Sequence, residues 1–294
     1  MKSLLLPIVY FALLLSGPFH FLQAREIELT GGINNLAYNP EYNLSDSTEV
    51  QTAQILQFED YRKIIGNFSL KNEISDVLGY KIKITRDSIL QNNLIGNIIV
   101  NTENLNLEFG AFFGISDDFK KPDLGITGGL ELIFPGIIFL SVNGSTSLSI
   151  KNELMGNYNR ETAGAKFGFW LPNLLPVFSA DIKTYAREEE NSLIIKDELI
   201  RFMFSVDIFA KNFPLLIHLD AGYGILSRTY KNGNSDSFEI KNIFAGLEIR
   251  WQIIRQFRLI AGFEMPVYII EPAKNAPDFF SLYKAYGGFA LTFF

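Results

Sequence analysis

The sequence predicts an all-β protein, a closed antiparallel transmembrane β-barrel of about 14 strands, with about 12 strands as the alternative. Three observations predict this fold. Apolar and polar residues alternate with period two from Asn67 onward, which is the pattern of strands with two different faces. Each apolar face covers about 9 to 11 residues, the length that a tilted strand needs to cross a bilayer. The links between these segments alternate between short and long, as in a barrel with one tight and one looped rim.

The alternation is clearest in the second half of the chain. Between residues 215 and 225 the odd positions are apolar or aromatic, whereas the even positions include His218 and Asp220. The same division recurs over 78–85, 105–115, 163–169, 200–208, 243–251 and 257–267. The segment 94–101 lacks a clean phase, and it leaves the strand count open between about 12 and 14.

The links define two rims. Short links fall near 75–76, 101–104, 135–136, 171–173, 211–214 and 254–256. Longer polar links fall near 39–62, 86–90, 117–122, 151–158, 187–197, 230–237 and 271–278. Both chain ends then lie at the short-link rim, so we expect periplasmic short turns and longer extracellular loops.

A soluble β-sandwich also alternates, but two features favour a membrane barrel. The polar face is rich in glycine and in both signs of charge, and aromatic residues such as Trp170 and Trp251 lie close to short links, where membrane barrels carry aromatic girdles. A bilayer also forbids unpaired backbone groups, so the strands must close into a ring. The last strand is therefore expected to pair with the first, over residues 26–38.

The N-terminal 24 residues predict a separate segment. Lys2 is followed by an apolar run of leucines, and the sequence Leu22-Gln23-Ala24 precedes polar sequence, which is typical of a cleaved secretory signal peptide. The organisation expected is a signal peptide over 1–24 and one barrel domain over 25–294. Without Lys2 the chain has 25 lysines and arginines against 32 aspartates and glutamates, a net charge of −7.

Composition excludes several functions. The chain has no cysteine, so disulfides, thiolate chemistry and lipid attachment at a cysteine are excluded. Its acidity and lack of a basic cluster argue against a nucleic-acid partner. After residue 24 the only histidine is His218, which falls on the polar face without a serine at a matching place, so we expect no enzyme, no metal site and no cofactor.

The last residues resemble the terminal assembly signal of bacterial outer-membrane proteins. The residues that carry this resemblance are Tyr286, Gly288, Leu291, Phe293 and Phe294. Leu291 stands where the pattern has an aromatic residue, and Phe294 extends the strand by one. The resemblance implies folding by the barrel assembly machinery and insertion into outer-membrane lipid. As a whole the chain resembles a monomeric porin and is similar to spirochaete outer-membrane barrels.

If the apolar face contacts lipid, the polar face lines the lumen. The charged residues predicted to line it, together with one histidine, are Lys71, Lys81, Lys83, Glu108, Glu131, Lys166, Asp181, Lys183, Arg201, Asp207, His218, Asp220, Arg228, Glu248, Arg250, Arg258 and Glu264. Such a wall predicts passive diffusion of small hydrophilic solutes, oriented by opposed charges. Two interpretations of these charges stay open. They can act on solutes in the lumen, or they can only cross-link neighbouring strands and stabilise the wall.

The long links carry further expectations. The looped rim is expected to be acidic, because it carries glutamates 188–190, Asp197 and Glu198. This negative charge would either mildly favour the entry of cations or only keep the rim solvated. Residues 39–62 are the candidate gate. Alternatives to a channel are a surface barrel whose extracellular loops bind a host ligand as an adhesin, and a transporter for hydrophobic solutes.

Overall fold

The computed structural model describes residues 26–34, 63–87, 89–115, 122–148, 158–188, 194–209, 214–232, 234–270 and 283–293. The predicted signal peptide over 1–24, the candidate gate over 39–62 and Phe294 lie outside these residues. None of the described residues forms a helix that is long and apolar enough to cross a membrane.

Fourteen strands form the described part of the chain. They are β1 (Glu26–Asn34), β2 (Lys63–Glu73), β3 (Leu78–Asp87), β4 (Gln91–Asn101), β5 (Leu105–Ile115), β6 (Pro122–Phe134), β7 (Ile138–Ser147), β8 (Tyr158–Phe169), β9 (Leu174–Glu188), β10 (Ile194–Phe209), β11 (Leu215–Asn232), β12 (Asn234–Ile254), β13 (Phe257–Ile270) and β14 (Lys284–Thr292). The prediction of 14 strands is confirmed, and the alternative of 12 is wrong.

Each strand pairs antiparallel with its neighbours in sequence, and β1 pairs with β14 to close the ring. The closing register joins Glu26 to Thr292 and Asn34 to Lys284. Because a closed ring has no edge strand, the strands satisfy one another's backbone groups, which is the condition for crossing lipid. The predicted pairing of the last strand with the first is confirmed over residues 26–34.

The outer face is apolar. Phe109, Phe178 and Phe202 are 52–53% exposed, although a soluble protein would bury side chains of this size. Leucine, isoleucine and valine occupy the same face on neighbouring strands. An apolar outer face is the arrangement of barrels that are surrounded by lipid rather than water.

Three predicted long links are shorter than expected. The link predicted over 230–237 is mostly strand, since β11 and β12 pair up to Asn232 opposite Asn234. The link predicted over 187–197 shrinks to 189–193, and Asp197 is a buried residue of β10 rather than a loop residue. Beyond the bilayer both faces of a strand can be polar, so polar composition does not separate a loop from a protruding strand. The link predicted over 86–90 is a tight turn after Asp87 with Ile89 buried.

The segment without a clean phase is a regular strand, β4. Leu94 and Ile98 are exposed on the outer face, whereas Ile95 and Ile99 line the interior. Apolar residues on both faces hide the period of two. The lumen wall is therefore not uniformly polar.

Candidate functional site

Inward side chains of the described residues line two neighbouring cavities. The larger, of about 650 Å³, is walled by β2 to β9, and the smaller, of about 320 Å³, by β9 to β14 together with β1 to β3. Lys83, Thr85, Asp87 and Lys183 line both cavities. These four residues therefore mark the boundary between the two halves of the lumen.

An ion pair crosses the lumen at that boundary. Lys183 on β9 places its Nζ 2.7 Å from Oδ2 of Asp87, at the end of β3 on the other side of the ring. We call this pair the lumen bar. The other oxygen of Asp87, Oδ1, accepts hydrogen bonds from the backbone N–H groups of Ile89 and Leu90, at 2.8 and 3.1 Å. Asp87 therefore stabilises the β3–β4 turn and also connects it to β9 on the opposite wall.

Arg160 on β8 anchors the same turn to the wall. Its guanidinium donates to the carbonyl oxygen of Leu90 and, at 2.7 Å, to Oδ1 of Asn93. It also lies 3.3 Å from the carboxylate of Asp123, and the two side chains are 2% and 4% exposed. Gly114 makes room for it, because a Cβ there would lie 2.5 Å from the guanidinium. The β3–β4 turn is thus folded toward the interior and fixed there.

The wall of the larger cavity carries three lysines close together on β2 and β3. Lys71 lies directly opposite Lys81 in the strand register, and Lys83 follows Lys81 on the same face. We call these three residues the lysine cluster. Lys81 is 3.5 Å from Glu108, whereas Lys71 and Lys83 have no ion pair with any described residue. Like charges directly opposite each other destabilise a sheet, so the cluster is an electrostatic cost to the folded barrel.

The opposite wall carries its charges in pairs. His218 on β11 contacts Asp207 through Nδ1 at 2.6 Å and faces Asp220 through Nε2 at 3.6 Å. Arg201 on β10 lies 3.0 Å from Glu264 on β13. His218 and Arg201 therefore each have a carboxylate beside them, whereas Lys284 on β14 lines the smaller cavity and forms no ion pair with a described residue.

A second paired network links β12, β14 and β1. Nε of Arg250 is 2.6 Å from Oε1 of Glu248, and its Nη1 is 3.6 Å from Glu28. The hydroxyl of Tyr286 donates to the other oxygen of Glu248. Tyr286 lies against Gly262, where a Cβ would come within 2.2 Å of its ring. A glycine on the inner wall here gives the aromatic ring its space.

Comparisons with known proteins identify the fold but not a family. No family model and no curated protein matches the chain. An outer membrane channel from Pseudomonas putida F1 matches with a TM-score of 0.50 and 11% identity, covering 95% of this chain and 99% of that one. The chain has the fold of bacterial outer-membrane β-barrel proteins.

Two further solved structures of outer-membrane barrels are similar at lower TM-scores. OmpT, an outer membrane protein of Vibrio cholerae, matches with a TM-score of 0.43 and 9% identity, covering 92% of this chain and 96% of that one. A porin matches with a TM-score of 0.41 and 7% identity, covering 91% and 99%.

Within this outer-membrane barrel fold, most of the residues predicted to line the lumen contact a cavity. Those on the larger cavity are Lys71, Lys81, Lys83, Glu108, Glu131, Lys166, Asp181 and Lys183. Arg201 and Glu264 line the smaller cavity, while Arg258 donates to Gln252 near the short-turn rim. Arg228 lies on β11 opposite Asp197.

Sequence reasoning missed Asp87, Arg160 and the inward role of Tyr286. Asp87 and Arg160 fell in or beside predicted long links, and Tyr286 was interpreted only as part of the assembly signal. One signal could have found the turn, because Ile89 and Leu90 are apolar residues in a stretch expected to be polar and exposed. No group of three or more histidine, aspartate or glutamate side chains with metal-site geometry occurs in the described ranges.

Proposed function

We propose that this protein is a porin-like channel of the bacterial outer membrane for the passive diffusion of small hydrophilic solutes. The observation that carries the proposal is the contrast between the two faces of the closed ring. The outer face exposes large apolar side chains, whereas the inner face encloses a cavity of about 650 Å³ lined by charged, amide and hydroxyl groups. A barrel of this strand number is too wide to be filled by side chains alone.

The lumen bar acts as a constriction of this proposed path. Lys183 and Asp87 reach each other from opposite walls, so a solute must pass beside their ion pair. Both side chains are partly exposed to the cavities. A partly exposed ion pair contributes little free energy, so its two side chains can separate at small cost, which suits a constriction better than a permanent plug.

The interior argues against the alternatives of hydrophobic transport and catalysis. The cavity wall includes apolar side chains such as Ile95, Ile99 and Phe112, but lysines, carboxylates and asparagines lie among them, which suits a hydrophilic solute better than a hydrophobic one. Both ring nitrogens of His218 face carboxylates, so the geometry provides no hydroxyl nucleophile beside this base.

Conductance of the purified, folded protein in a planar bilayer tests the proposal. Folding is verified first by heat-modifiable migration on a gel. We expect stepwise, ion-carrying openings, and faster entry of small sugars than of large ones into liposomes that carry the protein. A folded barrel that passes no current and admits no sugar would overturn the channel and would favour the surface-binding alternative.

A further inference from the structure

We propose that the interior prefers anions, and that the lysine cluster on β2 and β3 is the site where small anionic solutes are held during passage. This inference rests on the proposed channel function and names its solute class. It differs from the expectation of an acidic, cation-favouring mouth.

The first argument is the charge of the cavity walls. The two cavities together are lined by nine lysines and arginines but only five carboxylates. The chain as a whole is acidic, with a formal net charge of −6, so this excess of positive charge is specific to the lining of these two cavities. In a narrow aqueous path between low-dielectric walls, fixed charge of one sign concentrates the opposite ion.

The second argument is which charges are already neutralised. Three of the five carboxylates form ion pairs with cavity lysines or arginines, namely Asp87, Glu108 and Glu264. Four of the cavity lysines, Lys71, Lys83, Lys166 and Lys284, form none with the described residues. The positive charge left over after pairing is thus carried by lysines whose ammonium groups face the cavity.

The third argument is position. Lys83 lines both cavities, beside the lumen bar, and is therefore close to any solute that crosses from one to the other. Lys71 and Lys81 face each other across β2 and β3 and extend this positive surface into the larger cavity. A bound anion would relieve the repulsion between these two lysines, which gives it a favourable interaction at this place.

Asparagine side chains lie beside the cluster and hold the nearby carboxylates against the wall. Asn97 and Asn106, which line the same cavity, donate to Glu108 and Glu131 at 3.1 and 3.0 Å. Glu108 keeps its ion pair with Lys81, so the lysines of the cluster that are left to bind an anion are Lys71 and Lys83.

The test is the reversal potential of the reconstituted full-length barrel under a KCl gradient. We expect chloride to be more permeant than potassium in the unmodified protein. The triple variant Lys71→Gln, Lys81→Gln, Lys83→Gln should lower the chloride-to-potassium ratio by about twofold or more, because three fixed charges leave the path. The control Lys196→Gln removes a lysine that pairs with Glu198 on the exposed part of β10 and should leave the ratio unchanged.

Inorganic phosphate provides a second measurement on the same channels. Added to one side, it should reduce the single-channel chloride current in the unmodified protein and in the control, but much less in the triple variant. If the triple variant fails the heat-modifiable gel test, Lys71→Gln alone replaces it, since this change removes a repulsive neighbour and should fold.

The outcomes separate this inference from the channel itself. A conducting barrel that prefers potassium, or one whose ion preference and phosphate block are the same in the triple variant, overturns the anion site and leaves the channel intact. A folded barrel without conductance overturns the channel.

Discussion

The two halves of the lumen wall share the alternation of inward polar and outward apolar residues, but they differ in how many of their inward charges form ion pairs. The half formed by β10 to β14 and β1, the paired half, places a carboxylate beside each of Arg201, His218 and Arg250. The half formed by β2 to β9, the lysine half, leaves Lys71, Lys83 and Lys166 without an ion pair among the described residues. Of the two interpretations of the lumen charges, cross-linking of the wall fits the ion pairs of the paired half, and the proposed action on solutes depends on the lysine half.

This difference shows that counting inward charges is not enough to describe a lumen. The charges predicted from the sequence are nearly balanced around the whole ring, yet three cationic or protonatable groups lie beside carboxylates on one side, whereas three lysines on the other side form no ion pair with a described residue. Substitutions within the ion pairs of either half should therefore affect mainly stability, whereas substitutions at the unpaired lysines of the lysine half should affect mainly ion preference.

The largest effect on stability is expected at the deeply buried pair of the lysine half. Arg160→Met would leave the carboxylate of Asp123 buried without its guanidinium and would release the β3–β4 turn. Loss of one partner of a buried pair costs about 3–5 kcal/mol. Urea unfolding of the barrel in detergent micelles, followed by tryptophan fluorescence, measures it. Lys81→Met is the matched control, because its pair with Glu108 is 33% exposed on both sides and is worth at most about 1 kcal/mol.

A smaller loss is expected in the paired half. Glu248→Gln keeps the shape of the side chain but weakens its charge-assisted bonds to Arg250 and Tyr286. The free energy of unfolding should fall by about 1–3 kcal/mol, while the chloride-to-potassium ratio changes little. A large change of ion preference with unchanged stability would contradict the structural role assigned to this half.

The boundary between the halves should respond mainly in conductance. Lys183→Met removes the lumen bar, whose partly exposed ion pair contributes at most about 1 kcal/mol to stability. Without the bar, the two cavities should join, and the single-channel conductance should rise. Asp181→Asn, on the same strand and lining the larger cavity, is the control for loss of a charge without loss of the bar. An equal rise in both variants would mean that the bar does not narrow the path.

The smallest change in stability is expected within the lysine cluster. Lys71→Gln removes one of two like charges that face each other across β2 and β3, so the barrel should become more stable by about 0.2–1 kcal/mol. The same urea titration detects this gain. A loss of stability would show that Lys71 has a stabilising partner and would weaken the contrast between the halves.

The fold could be predicted from the sequence because its cause is local. Side chains on successive residues of a strand point to opposite faces. The apolar Phe109 and the charged Glu108 therefore indicate directly which face of β5 points outward and which points into the lumen. The prediction failed where this local rule does not apply. In β4, Ile95 and Ile99 face inward among polar neighbours, and in the extension of β11 and β12 both faces can be polar.

The candidate site could be predicted only in part, because its decisive contacts join distant strands. The inward placement of Lys71, Lys81 and Lys83 follows from phase alone. The meeting of Asp87 with Lys183 depends on the width of the ring and on the inward fold of one turn, and neither is encoded in the alternation. Which lysines stay unpaired is likewise set by distances across the lumen.

The double attachment of Asp87 has a consequence for how such a channel can change over evolutionary time. One oxygen of its carboxylate shapes the hairpin and the other reaches the far wall. Substituting most other amino acids therefore alters the rim and the bore together, whereas asparagine could keep the hairpin's acceptor while weakening the grip on Lys183. If selection favours larger or smaller solutes, the substitution Asp87→Asn would change the bore alone. Other substitutions at this position would change both the bore and the hairpin.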